Sequence, residues 1–404
     1  MGIAVKICIN RGAQYYLRLI IFLGVGATGL VLAVFLSLER SRSIVNAIPA
    51  PPIPSPAPLA PQSDSQQPQQ LAQQLVQHIH THCWITYTPT AFNPQTTPLT
   101  WPSIASVRAD FAALRQIGVE GLVTYRAFFY AASDRSVPQR LPLVELAAAA
   151  GFEAMIIGIW NPSNEAELRA AERLGSHPLV WGYSVGNEGL NQRYDRSTLL
   201  AALNRLRQAT GKPVATTEET PDYFRYPALN TTGDWIFANV HPYFTGIRDP
   251  DRAVAWTDRL YFLFRQLGTG SDALPVVFKE VGLPTAGAAK VSEARQAQYY
   301  QALSQTKVTY VNFAAFDLPW KSDTGQAPMQ TPDPELVPPR DQTSDLTLGQ
   351  ALNQAQAHAQ NLEDTQALTD HQVLEDNPEP YWGVFRADRS PKPAAEHLCD
   401  RSSR

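Results

Sequence analysis

Short apolar runs alternate with longer amphipathic ones along the chain from residue 84 to residue 313. Eight runs read as strands: Trp84–Thr88, Gly121–Tyr125, Ala154–Ile159, Val180–Val185, Pro213–Thr217, Trp235–Val240, Pro275–Phe278 and Val308–Phe313. Several are nearly continuous in apolar residues, the pattern of parallel strands covered by helices. Between them apolar residues recur at spacings of three and four. In 104–117 they fall at Ile104, Val107, Phe111, Leu114 and Ile117, one face of a helix. The same periodicity marks 198–206, 253–267 and 294–303. Ser197 and Ser292 stand where N-caps are wanted, and Gly118, Gly151 and Gly211 follow helices where a left-handed residue is favoured. Eight strand–helix units in succession predict an α/β fold, a closed (β/α)8 TIM barrel. An open doubly wound sheet is the alternative, but it wants a glycine-rich phosphate loop after its first strand, and Ser103–Arg108 contains no glycine.

The flanks do not fit the alternation. Leu19–Leu38 is uncharged and largely apolar, long enough as a helix to cross a hydrocarbon core of about 30 Å. Lys6, Arg11 and Arg18 precede it, while Glu39, Arg40 and Arg42 follow, which favours an N-inside orientation. The expected organisation is a cytoplasmic segment at 1–18, a transmembrane signal anchor at 19–38 and a Pro/Gln-rich linker at 39–70. The barrel domain follows at 71–400, interrupted by a polar insert at 322–379. The alternative is a cleaved secretory signal, which has a shorter apolar region of about 7–15 residues; either places the barrel outside the cytoplasm, periplasmic or extracellular. Cys83 and Cys399 flank the barrel and either pair or remain two separate thiols.

Composition narrows the chemistry. Charged residues are 17% of the 404, with a net charge of −4, so no basic field exists to grip nucleic acid. No cofactor-binding motif is present. His241 has no partner histidines at metal-ligand spacing, so no metal is implied and it reads as structural. The expected domain is monomeric.

In such barrels chemistry sits where strands end. The fourth strand runs out into Gly186-Asn187-Glu188, and the seventh into Lys279-Glu280-Val281-Gly282. Glutamate is depleted in strands and costly near a core unless neutral or hydrogen-bonded. Two at the mouths of strands four and seven form a pair suited to glycoside cleavage, one as proton donor and the other as nucleophile.

Six short elements give this pair a family context. Val185-Gly186-Asn187-Glu188 matches the fourth-strand motif of glycoside hydrolase family 17, the β-1,3-glucanases and glucanosyltransferases. His241-Pro242-Tyr243-Phe244 resembles its sixth-strand element, and Glu280-Val281-Gly282-Leu283-Pro284-Thr285 loosely resembles its seventh. Phe316-Asp317-Leu318-Pro319-Trp320-Lys321 and Tyr381-Trp382-Gly383 are similar to its eighth-strand and closing elements, and Tyr87-Thr88-Pro89 to its first. The resemblance runs in order from Trp84 to Pro393, broken only by the insert.

The resemblance implies Glu188 as acid/base and Glu280 as nucleophile of a retaining enzyme. It further implies Asn187 as the partner of the donor sugar's 2-hydroxyl and Tyr243 as a donor to the nucleophile. Tyr87, Tyr125, Trp160, Phe244 and Trp320, with Lys321, are candidate sugar contacts. The chain departs from the family at Val281 and Leu283, where threonine and tryptophan are usual. It also departs at Ala314 and Leu318, where many fungal members carry glutamate, and it offers Glu218 and Glu219 on the fifth strand. The implied substrate is β-1,3-glucan or a related β-glucan. A glucanosyltransferase on the same site is the near alternative, and a non-catalytic glucan-binding envelope protein the distant one.

Overall fold

A computed structural model describes residues 15–26, 29–40, 66–132, 139–267, 273–323 and 376–399. The chain divides into two units, Met1–Pro61 and Gln62–Arg404. In the first, Tyr15–Gly26 and Gly29–Arg40 pair as antiparallel strands. The backbone there is strand where a helix is expected over 19–38, and among the described residues no helix is long and apolar enough to cross a membrane. The reason lies in the composition of the run. Gly24, Gly26 and Gly29 disfavour helix by roughly 0.5–1 kcal/mol each, and Ile20, Ile21, Val25, Val31 and Val34 are branched residues that favour strands. Residues 1–14, most of the linker (41–65) and most of the insert (324–375) lie outside the described residues.

The second unit carries the barrel. Its parallel strands are β1 (Trp84–Tyr87), β2 (Gly121–Thr124), β3 (Ala154–Ile159), β4 (Val180–Val185), β5 (Val214–Thr216), β6 (Ile236–Asn239), β7 (Val276–Val281) and β8 (Tyr310–Asn312). They pair in the order β6-β7-β8-β1-β2-β3-β4-β5. The sheet nearly closes on itself: across the β5–β6 seam Asp234 donates its amide to Val214 and Asn239 donates its amide to Glu218. All eight expected strands form, and β7 runs three residues past its expected end.

The helices outside are α2 (Ile104–Gln116), α3 (Leu143–Ala149), α4 (Glu165–Leu174), α5 (Arg196–Thr210), α6 (Thr220–Arg225), α7 (Pro250–Gln266) and α8 (Glu293–Leu303). Ser292 caps α8 as expected, accepting from the Arg295 amide. At α5 the cap is Asp195 rather than Ser197, because the helix already includes Ser197 and the Asp195 carboxylate reaches the Thr198 amide at 2.7 Å. Gly118, Gly151 and Gly211 all take the left-handed conformation.

A helix that the alternation did not predict, α1 (Gln66–Thr81), begins inside the expected linker. Its Ala72, Leu75 and Ile79 are fully buried against Trp84, Val123, Ala154, Ile156, Ala215, Trp235, Phe237, Val277 and Val311. Those are alternate strand residues, while Ile85, Leu122, Met155, Tyr183, Val214, Phe278 and Tyr310 belong to the layer under the outer helices. The helix α1 therefore packs on the inward-facing side of the barrel.

The chain ends are fastened beside β1. Cys83 and Cys399 are joined as a disulfide, which excludes the reading of two separate thiols. Fully buried Asp110 on α2 accepts from Tyr87 Oη at 2.8 Å, Thr90 Oγ1 at 2.8 Å and Arg389 Nε at 2.7 Å.

Candidate active site

Counting by two along each strand from the inner apolar layer leads to the barrel mouth. From Val123 the count reaches Tyr125, from Ala215 it reaches Glu219, from Phe237 it reaches Asn239 and His241, and from Val277 it reaches Lys279. On β4 it passes Gly182, Ser184 and Gly186 to Glu188.

Glu280 breaks the alternation. Between Phe278 and Val281 the strand advances three residues while β8 advances two, from Tyr310 to Asn312. One extra residue makes a bulge, which re-aims a side chain. Glu280 takes φ 44° there, and Glu188 takes φ 49°. Left-handed backbone in a non-glycine residue costs of order 1–3 kcal/mol and persists only where the surroundings impose it. Gly186, at φ 80°, leaves room for the Tyr194 ring, which a Cβ at this position would overlap.

The two carboxylates meet. Oxygens of Glu188 and Glu280 and a ring nitrogen of His241 all lie within 4.8 Å of one another. Glu188 is half-buried and accepts from Asn239 Nδ2 at 2.5 Å. Glu280 is buried and accepts from Lys279 Nζ at 2.8 Å, with His241 Nε2 3.3 Å from its other oxygen. Burial first, then the charge of Glu280, pushes the Glu188 carboxyl up to about 7, against lowering by His241 and Asn239. Burial alone would raise Glu280 as well, but Lys279 and His241 outweigh it and hold this carboxyl well below the ordinary range. At neutral pH one group retains much of its proton and the other is ionised.

The expected residues distribute unequally. Asn187 joins the pair, its Oδ1 accepting from Lys279 Nζ at 2.6 Å while Arg193 donates to its backbone carbonyl. Tyr125 also lies in the site, with the Lys279 ammonium 4.4 Å from its ring centre. Burial, then the Glu280 charge, holds its phenol well above the ordinary value. Tyr87 does not belong there: it is fully buried and its hydroxyl is committed to Asp110. Nor does Tyr243 donate to Glu280. It sits in the turn Pro242–Thr245, its hydroxyl 3.5 Å from Asp376, and His241, the inward residue by alternation, stands beside Glu280 instead.

Lys321 pairs with Glu379 at 3.1 Å and lies 5.8 Å from the Phe313 ring centre. Trp320 is partly exposed in the turn Pro319–Asp323. The Arg193 guanidinium covers Trp160 at 4.3 Å, whereas Phe244 is 44% exposed. Trp382 packs on His241 and Phe313, both at 5.1–5.3 Å between ring centres. Glu218 is an anchor, accepting from Tyr194 Oη at 2.7 Å and the Gly189 amide at 3.0 Å, so it fixes the loop after Glu188. Lys279 and His241 are the residues beside Glu280 that motif reading missed; the period-two count would have found both.

Two clusters bring three possible metal ligands together among the described residues, and neither has a donor set that suits an ion. At Glu188, His241 and Glu280 a cation would compete with the Lys279 ammonium for the same carboxylate. At His78, His82 and Glu153, the Trp84 indole N–H donates to His78 Nδ1, so the proton of the neutral ring sits on Nε2 and blocks that atom as a ligand.

Residues 85–329, more than half of the chain, match the family model of the BtgE/BtgC glycoside hydrolase domain. The chain belongs to that family. No curated protein sequence matches it. Solved structures resemble it distantly. A GH5_18 enzyme from Streptomyces cattleya in complex with Manb1-4GlcNAc is 16% identical, with a TM-score of 0.46 over 73% of this chain and 74% of that one. CJP38, a beta-1,3-glucanase and allergen of Cryptomeria japonica pollen, is 15% identical with a TM-score of 0.47, over 77% and 97%. A GH5_18 protein from Bifidobacterium longum subsp. longum is 14% identical with a TM-score of 0.48, over 79% and 77%. Nothing about the site follows from likenesses of this size. The barrel is thus a glycoside hydrolase domain, and its opposed carboxylates are the groups such chemistry requires.

Proposed function

We propose that this glycoside hydrolase is a retaining enzyme acting on β-1,3-glucan or a related β-glucan, with Glu188 as acid/base and Glu280 as nucleophile. The observation that carries the reading is a pair of carboxylates with oxygens within 4.8 Å of each other, whose environments push their ionisation in opposite directions. Retaining glycosidases hold their carboxyls about 5–5.5 Å apart, whereas inverting ones need about 6.5–9.5 Å to admit a water.

In the first step ionised Glu280 attacks the anomeric carbon while protonated Glu188 gives its proton to the departing glycosidic oxygen. Esterification removes the negative charge from Glu280, so one of the influences holding Glu188 protonated disappears. Glu188 then takes a proton from water as that water displaces Glu280 from the sugar. The glucan assignment rests on the motif resemblance to family 17. The disulfide supports a location outside the cytoplasm, where such bonds persist.

Incubating the full-length chain with laminari-oligosaccharides tests the reading. Shorter products alone mean hydrolysis, longer ones mean transfer to a sugar acceptor, and no change would refute the substrate assignment.

A further inference from the structure

Lys279 is 1% exposed, and among the described residues its ammonium meets Asn187 Oδ1 at 2.6 Å, Glu280 Oε1 at 2.8 Å and the Tyr125 ring at 4.4 Å. An ammonium has three donors and no acceptor, so the Asn187 atom facing it must be the carboxamide oxygen. This settles an orientation that asparagine otherwise leaves open. It turns Nδ2 away from Lys279, and among the described residues Nδ2 donates to nothing. The bulge after Phe278 is what lets consecutive residues Lys279 and Glu280 face the same site, since regular strand geometry would send them to opposite faces.

We propose that Lys279 is a positioning residue, which locks the Asn187 carboxamide with its N–H groups toward the donor sugar's 2-hydroxyl and ties that carboxamide to the nucleophile. The inference rests on the assignment of Glu280 as nucleophile. One cation thereby serves both halves of the transition state. It fixes the donor that recognises the 2-hydroxyl, a contact that strengthens as oxocarbenium character develops. It also keeps Glu280 ionised together with His241, while Glu188 and the Tyr125 phenol are the other titratable groups facing it.

Three full-length proteins test this: wild type, Lys279→Met and Lys279→Gln. Glutamine retains an N–H donor for Asn187 without the charge. The first readout needs no substrate: a carbon-13 NMR titration of the Glu280 carboxyl, assigned with Glu280→Gln. It should stay ionised to the lowest pH at which wild type is folded, and in both Lys279 variants its midpoint should rise. The second readout compares kcat/KM for 4-nitrophenyl β-laminaribioside with that for its analogue lacking the 2-hydroxyl on the sugar bearing the nitrophenol. Removing the hydroxyl should cost wild type roughly a hundredfold or more. The factor should shrink at least tenfold in Lys279→Met and recover in Lys279→Gln. The third readout is the nitrogen-15 resonance of the Asn187 side chain, which should shift in Lys279→Met even without substrate.

An unchanged Glu280 titration overturns the electrostatic half. A 2-hydroxyl factor or an Asn187 resonance left unchanged in Lys279→Met overturns the positioning half. Absence of any cleavage by wild type refutes the functional reading instead, leaving the two NMR readouts to decide on Lys279. If Lys279→Met does not fold, Lys279→Ala, which also lacks the donor and the charge, takes its place in all three readouts.

Discussion

Replacing Glu280 with glutamine preserves its shape and removes one negative charge from the neighbourhood of Glu188. The two groups have oxygens within 4.8 Å, so at an effective permittivity of about 20 the repulsion between them is about 3.5 kcal/mol. At 1.36 kcal/mol per pH unit this corresponds to about 2.5 units. Burial of Glu188 persists in the variant and still raises its carboxyl. Lys279, no longer neutralised by Glu280, acts in the opposite direction. The midpoint of Glu188, about 7 in the wild type, should therefore fall by about two pH units or more in Glu280→Gln. Carbon-13 NMR of labelled glutamate, with Glu188 assigned through Glu188→Gln, follows it directly in the resting protein. A midpoint that stays near its wild-type position would refute the claim that these carboxylates control one another, and with it the switch of Glu188 from acid to base when Glu280 is esterified.

In the proposed mechanism the same ionisation states govern catalysis. Activity needs Glu188 protonated and Glu280 ionised, so kcat/KM should fall as pH rises through about 7, while its acidic limb should lie below the ordinary carboxylate range because Glu280 is depressed. Tyr87→Phe should leave KM for oligosaccharide unchanged while lowering stability by about 1–2 kcal/mol, read as a fall in Tm, since its hydroxyl serves Asp110 rather than substrate. Arg389→Ala leaves the buried Asp110 carboxylate without its cation and should cost about 3 kcal/mol or more in denaturant unfolding. Reduction of the Cys83–Cys399 bond, which spans a separation of 316 residues, should lower Tm with an effect of up to about 5 kcal/mol.

The barrel was legible because its signal is repeated eight times, and each strand ends near where its apolar run ends. Glu188 was legible for the same reason: it terminates an inward-facing series that begins in the apolar layer. Glu280 could be found by motif but not by periodicity, because the bulge that turns it inward depends on pairing between β7 and β8, a tertiary event. Lys279 and His241 are present in the alternation of β7 and β6, yet the resemblance points to Tyr243, which the turn Pro242–Thr245 carries away from Glu280. Tyr87 illustrates the converse error. A strand-end aromatic reads equally as sugar platform or core, and only the buried Asp110 beneath it decides. At the N-terminus apolar length predicts a helix, whereas the described backbone at 15–26 and 29–40 is a strand pair. The helix α1 was overlooked because its glutamines continue the composition of the linker, although Ala72, Leu75, Val76 and Ile79 carry a helical period.

The identity of the nucleophile is tested most directly by chemical rescue of Glu280→Ala with azide on 4-nitrophenyl β-laminaribioside. Azide can enter the space left by the carboxylate and attack the anomeric carbon while Glu188 remains as proton donor. The account predicts recovered turnover and an α-configured glycosyl azide, identified by proton NMR. A β-configured azide, or no rescue with a folded variant, would contradict it.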